Sequence, residues 1–177
     1  MHQLRRHRGG LEARQREQLS DVSDTAQRSS QTSLGWIPWA TLVVSIAGLA
    51  VAGYLTYEHF TAGTTLACPD TGVVNCAKVT SSQYSKVFGI PVALLGLGFF
   101  VGMTALSVPP LWRTSSPWPG RLRLAAVLVG VVFICYLIWA ELFQINAICL
   151  WCTVVHGLTL ILFALVIIRQ ALIPPAS

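Results

Sequence analysis

Five cysteines carry most of the chemistry this chain has to offer: Cys68, Cys76, Cys135, Cys149 and Cys152. Two of them frame the run Cys149-Leu150-Trp151-Cys152. At i and i+3 of a helix two side chains share a face, close enough to join as a disulfide and part again with little backbone movement. A helix start also favours the thiolate, because unpaired amide N–H groups and the helix dipole stabilise negative charge there, and the thiolate is the reactive form. Cys68 and Cys76 stand among Pro69, Asp70, Thr71, Gly72 and Asn75, a composition that bends easily. That pair reads equally well as a structural bridge across a loop or as a second redox pair. A zinc site built from all four thiols is a further reading, and with it a non-enzymatic membrane scaffold whose cysteines are structural or bind zinc. Cys135, with no polar neighbour close in sequence, reads as a small apolar packing residue.

The elements that position these cysteines follow from composition. Of 177 residues, 54% are hydrophobic and only 11% charged, which does not describe a soluble surface. A hydrocarbon core of about 30 Å needs about 20 helical residues. Long uncharged runs predict spans near 36–57, 88–108, 122–143 and 148–168. The expected fold is an all-α membrane protein, a four-transmembrane-helix bundle with an extracytoplasmic redox loop, residues 58–87, between its first two helices. The first span is expected to stay attached, because no small-residue cleavage pattern follows it.

The net charge of +5 is arranged for membrane orientation rather than for nucleic acid. Arg5, Arg6, Arg8, Arg14, Arg16 and Arg28 precede span one, Arg113, Arg121 and Arg123 lie between spans two and three, and Arg169 follows span four. Placing these inside leaves only Lys78 and Lys86 outside, as the positive-inside rule requires. Both termini are then cytoplasmic, and the two cysteine pairs share the outer face, where paired cysteines usually exchange disulfides. Both pairs on one side form an electron path, with the loop swinging to relay between a soluble partner and the membrane pair.

Residues 1–33 are polar and are expected to form a disordered cytoplasmic tail, followed by a membrane domain over 34–170 and a short tail over 171–177. Trp36, Trp39, Tyr54, Tyr57, Trp139 and Trp151 are placed as interfacial anchors. Gly98 and Gly102 have the spacing that lets helices approach closely. Glu141 sits near the interface, where a carboxylate can reach water and relay a proton.

These residues resemble the vitamin K epoxide reductase family, in particular its bacterial disulfide-forming, quinone-linked branch. The resemblance runs from about Gly35 to Arg169. It is carried by Cys68 and Cys76, by Ser81-Ser82, by Phe88-Gly89-Ile90-Pro91, and by Ala147-Ile148-Cys149-Leu150-Trp151-Cys152. It implies that Cys152 faces the quinone, Cys149 exchanges with Cys76, and Cys68 faces the external partner. Ser82 matches a family serine near the quinone. His156 stands where vertebrate members carry a tyrosine, and span two lacks their Asn or Gln, which favours an ordinary respiratory quinone of menaquinone or ubiquinone type over the epoxide. His156 can itself donate to a quinone oxygen, or else bond a neighbouring helix. Some members carry a fused thioredoxin-like domain. None follows span four here, so the resemblance implies a separate extracytoplasmic thioredoxin-fold, DsbA-like partner, in a bacterial inner membrane.

Overall fold

The computed structural model describes residues 14–22, 35–61, 68, 71–112, 114 and 116–172. Of the expected disordered tail over 1–33, residues 14–22 are described and form helix α1, exposed along its length. The rest of that expectation, and the expected tail over 171–177 beyond Leu172, lie outside the described residues.

The uncharged runs become helices because nothing in them competes for the backbone. In lipid every N–H and C=O must be satisfied within the chain. Helix α2 (Ile37–Phe60) carries Pro38 in its first turn, where a missing N–H costs nothing. Its hydroxyls bond back to its own carbonyls: Thr41 Oγ1 donates to Ile37 O and Pro38 O (3.0 and 2.9 Å), Ser45 Oγ to Thr41 O (2.7 Å), and Thr56 Oγ1 to Ala52 O (2.7 Å). No polar side chain among these is left bare.

Helix α6 (Trp118–Trp139) runs on through a π-helical turn, Ala140–Ile145, and helix α7 covers Leu150–Leu172. With α2 these are three helices long and apolar enough to cross a membrane. Large apolar side chains such as Val43, Val129, Val132 and Ile161 face outward on them, as lipid-facing helices require.

The expected second span, 88–108, is realised as a shorter apolar helix, α4 (Val92–Leu106). Its start is displaced by a hairpin. Strands β1 (Lys86–Val87) and β2 (Ile90–Pro91) pair antiparallel, and the two turn residues, Phe88 and Gly89, have φ of 52° and 82°. Positive φ at both central positions matches the twist of paired strands, and Pro91 then opens the helix. Pro109 and Pro110 follow its other end and begin the short helix α5 (Pro109–Trp112).

Helix α2 packs chiefly on α4 and α7, and α6 on α7. Their shared core is Ala52, Phe100, Met103, Val127, Leu162 and Val166, drawn from all four helices. The close helix approach is at Gly48, where an added Cβ would collide with the Phe100 ring, and at Gly130, packed against Phe99 and Thr159. Gly98 and Gly102, singled out by their spacing, face open space.

At one end of the bundle Arg123 is buried. Its guanidinium donates to Leu106 O (3.0 Å) and Leu111 O (2.9 Å) and lies 3.6 Å from the centre of the Trp112 ring. Gln170 Nε2 donates to Gly120 O nearby (2.8 Å), closing that end. The cysteines occupy the other.

Candidate active site

The cysteine end is assembled by the main chain. Val74 and Ile148 form an isolated parallel bridge: Asn75 N–H donates to Ile148 O (3.1 Å), and Ile148 N–H donates to Val73 O (2.9 Å). These bonds hold the residues before Cys76 against the residue before Cys149. Helix α3 (Cys76–Thr80) starts there because Asn75 caps it, its side-chain oxygen accepting from Lys78 N–H at 2.8 Å. The expected swinging loop is therefore pinned at its Cys76 side.

On the opposite strand of the bridge, the π-helical turn ends at Asn146, whose left-handed φ of 50° reverses the chain, and Ala147 N–H donates to Glu141 O (3.2 Å). Asn tolerates that conformation better than other side chains. Helix α7 can then begin immediately after Cys149.

Cys149 occupies the capping position of α7. Its Sγ accepts from Cys152 N–H at 3.3 Å, as a capping Ser or Asp oxygen does, and its C=O accepts from Thr153 N–H (2.9 Å). A thiolate here meets both the free amides and the positive end of the helix dipole. Cys149 and Cys152 are thiols, and their side chains interact directly. Cys68 and Cys76 are joined as a disulfide with Cα atoms 6.1 Å apart. The two pairs meet in one apolar cluster. Cys76 (1% exposed) and Cys149 (0%) are buried there with Val79, Ile145 and Ala147, while Cys68 and Cys152 lie partly exposed against it. Cys68 and Cys76 are bonded to each other, and no group of three or more metal-binding side chains occurs among the described residues. Cys135 is exposed on the outside of α6 rather than packed in the core, because it sits one position past the buried Ile134 on the outward side of the helix.

Beside Cys152 a cavity of about 350 Å³ opens between α2, α4, α6 and α7. Its wall is almost wholly apolar, with Phe99, Leu137 and Val155 among its lining, and a few polar groups converge on it: Ser82, Tyr84, Glu141, His156 and Thr159. That is the usual make-up of a small-molecule site. His156 lies one helical turn beyond Cys152, is 5% exposed, and makes no hydrogen bond among the described residues, leaving its ring nitrogens for a ligand. Ser82 lines the same cavity, with its hydroxyl donating to Val79 O at 2.8 Å. Every residue singled out in the sequence for chemistry thus comes to this end.

Tyr84 was not anticipated. Its hydroxyl donates to Gln144 Oε1 (3.1 Å) across 60 residues of sequence, and its ring meets Trp139 edge to face, 6.4 Å between centroids. These contacts join the loop to the end of α6 and its π-helical turn beside the cavity that Tyr84 lines. Lying in a single 3-10 turn, Gln83–Ser85, this tyrosine carries no periodic signal.

Apolar spanning helices that hold a dithiol and a disulfide in one cluster, beside an apolar cavity, define a multi-pass membrane thiol-disulfide oxidoreductase. The chain belongs to the Vitamin K epoxide reductase family, which it matches over residues 39–167. Its activity class is accordingly quinone-dependent thiol-disulfide exchange.

Proposed function

We propose that this protein belongs to the bacterial, disulfide-forming branch of its family and reoxidises a separate extracytoplasmic thioredoxin-fold, DsbA-like protein, passing the electrons to a menaquinone- or ubiquinone-type quinone. The observation that carries this reading is that Cys76 and Cys149 share one buried cluster, with Cys68 and Cys152 partly buried against it. Four sulfurs in that order form a relay.

A thiolate of the reduced partner attacks Cys68, the more exposed sulfur, and breaks the Cys68–Cys76 bond. The partner's second thiol resolves the mixed disulfide, leaving the partner oxidised and Cys68 and Cys76 as thiols. Cys76 then attacks Cys149, the Cys149–Cys152 bond breaks, and Cys68 displaces Cys149 to restore the loop disulfide. Cys149 and Cys152 now hold two electrons and two protons as thiols. The quinone would supply the two-electron sink; His156 would donate to one of its oxygens beside Cys152, and Ser82 would do so by turning its hydroxyl from Val79 O into the cavity. Direction follows from reduction potential, about 30 mV corresponding to about 1.4 kcal/mol for a two-electron couple.

Four spans, both termini on the arginine-rich side and the cysteines on the far side agree with the distribution of Arg and Lys. Helix α4, at about 22 Å for its 15 residues, is short of a bilayer's hydrocarbon thickness, and the β1–β2 hairpin with its outward Phe88 completes that crossing.

The test is thiol trapping on purified full-length protein, reduced and then mixed with ubiquinone-1 or menadione. Quinone addition should convert Cys149 and Cys152 to the disulfide and produce quinol in equal amount. A thiol state indifferent to both quinones, or full quinol production by Cys152→Ala, overturns the reading.

A further inference from the structure

We propose that Glu141 is a proton carrier between the Cys149/Cys152 dithiol and the cavity beside it, an inference that rests on the quinone reading above. Glu141 is the second residue of the π-helical turn Ala140–Ile145 and is 6% exposed. π-Helical turns are rare and are frequently found at functional sites. Its carboxylate interacts with the backbone amide of Cys149 and with both thiols, and it lines the same cavity as Cys152 and His156. No Lys or Arg pairs with it among the described residues. A carboxylate at this depth without a cation is costly to keep, and such groups mark proton and ion paths by default. The local fold does not need it: the bond that closes the π-helical turn, Ala147 N–H to Glu141 O, uses only its main chain.

The chemistry needs such a group. Oxidising the dithiol forms the Cys149–Cys152 bond and releases two electrons and two protons, and converting a quinone to a quinol takes up the same number of each. Cys152 lines the cavity and can pass its own proton there. Cys149 is 0% exposed and sealed from water, so its proton has no direct way out. The Glu141 carboxylate takes the proton from the Cys149 thiol as the S–S bond forms and delivers it, as carboxylic acid, to a reduced quinone oxygen in the cavity. Each turnover returns Glu141 to its starting form.

The titratable groups facing Glu141 are Cys149, Cys152 and His156 on or beside α7, His59 on α2, and Tyr84 in the loop, all at the same cavity or cluster. The experiment compares full-length wild type, Glu141→Gln and Glu141→Asp in single-turnover reduction of ubiquinone-1 across pH. Infrared difference spectra between the dithiol and disulfide states, taken without quinone, accompany it. The expected result is a loss of about 100-fold or more in Glu141→Gln, with one limb of the pH profile gone. Glu141→Asp should keep that limb, and the carboxylic C=O band that changes with redox state should vanish in Glu141→Gln. A Glu141→Gln rate equal to wild type overturns the proposal. So does a slow Glu141→Gln with an unaltered pH profile, or a wild-type spectrum whose carboxylic band ignores the redox state, a measurement that needs no variant to fold. Failure of the wild type to reduce ubiquinone-1 through Cys149 and Cys152 overturns the quinone reading together with this one, whereas the other negative results leave that reading standing.

Discussion

Replacing Cys149 by Ser and by Ala separates what its sulfur does for the fold from what it does for the reaction. The sulfur accepts the Cys152 N–H at 3.3 Å and caps α7. Serine keeps a capping acceptor of nearly the same size, and oxygen is the stronger acceptor. Alanine removes it and leaves the Cys152 N–H without that acceptor. Loss of a Ser-type cap costs about 1 kcal/mol, within a range of about 0.5–2, which corresponds to a midpoint shift of about 2–4 °C in a chain of this size. The expected stability order is Ser equal to or above Cys, with Ala lowest. Turnover should fall to background in both, because neither can form a bond to Cys76 or Cys152. Thermal unfolding in detergent and quinol formation from a dithiol donor measure the two effects on the same preparations. Equal midpoints for Ser and Ala would refute the capping argument, and turnover by Cys149→Ser would refute the role of the sulfur.

Gly48→Ala should destabilise the bundle by about 1–3 kcal/mol, because the Phe100 ring occupies the space of the new methyl. In a Phe100→Leu background the same change should cost less, a coupling that unfolding midpoints of the four proteins will reveal. Arg123→Ala should cost about 2 kcal/mol or more by stripping Leu106 O and Leu111 O of their donors, and Arg123→Lys should recover only part, because an ammonium cannot reproduce the planar fork. Cys135→Ser should leave both stability and quinol formation at wild-type levels, since that sulfur faces outward from α6. Tyr84→Phe, which removes the bond to Gln144, should raise KM for a short-chain quinone severalfold with little change in kcat.

How far the sequence revealed this structure depended on whether the signal was local. Helices α2, α6 and α7 were legible because long uncharged runs admit no other structure in lipid. The cysteine pairs were legible because the Cys149–Cys152 spacing is local and the distribution of Arg and Lys predicted one shared side for both pairs. Helix α4 was misjudged at its start, since Phe88 and Gly89 are apolar like a span but adopt positive φ in a turn. The small-residue spacing at Gly98 and Gly102 was uninformative, because which face of a helix meets a neighbour is decided by the other helices. Gly48 matters only because Phe100, 52 positions later, fills its groove. Tyr84 and the π-helical turn were invisible for the same reason, both being defined by contacts between distant segments.

The tie between Val73, Asn75 and Ile148 is made of peptide groups alone. Side chains at 73 and 148 can therefore change without loosening it, provided residues 75 and 148 keep an N–H. Proline at 148 would remove the donor to Val73 O, and proline at 75 the donor to Ile148 O. The spacing between the two redox pairs is thus written in backbone rather than in residue types. On the proposed relay, a designer could re-aim Cys68 toward another external thiol, changing the surface around it, while the backbone tie keeps Cys76 and Cys149 in their cluster.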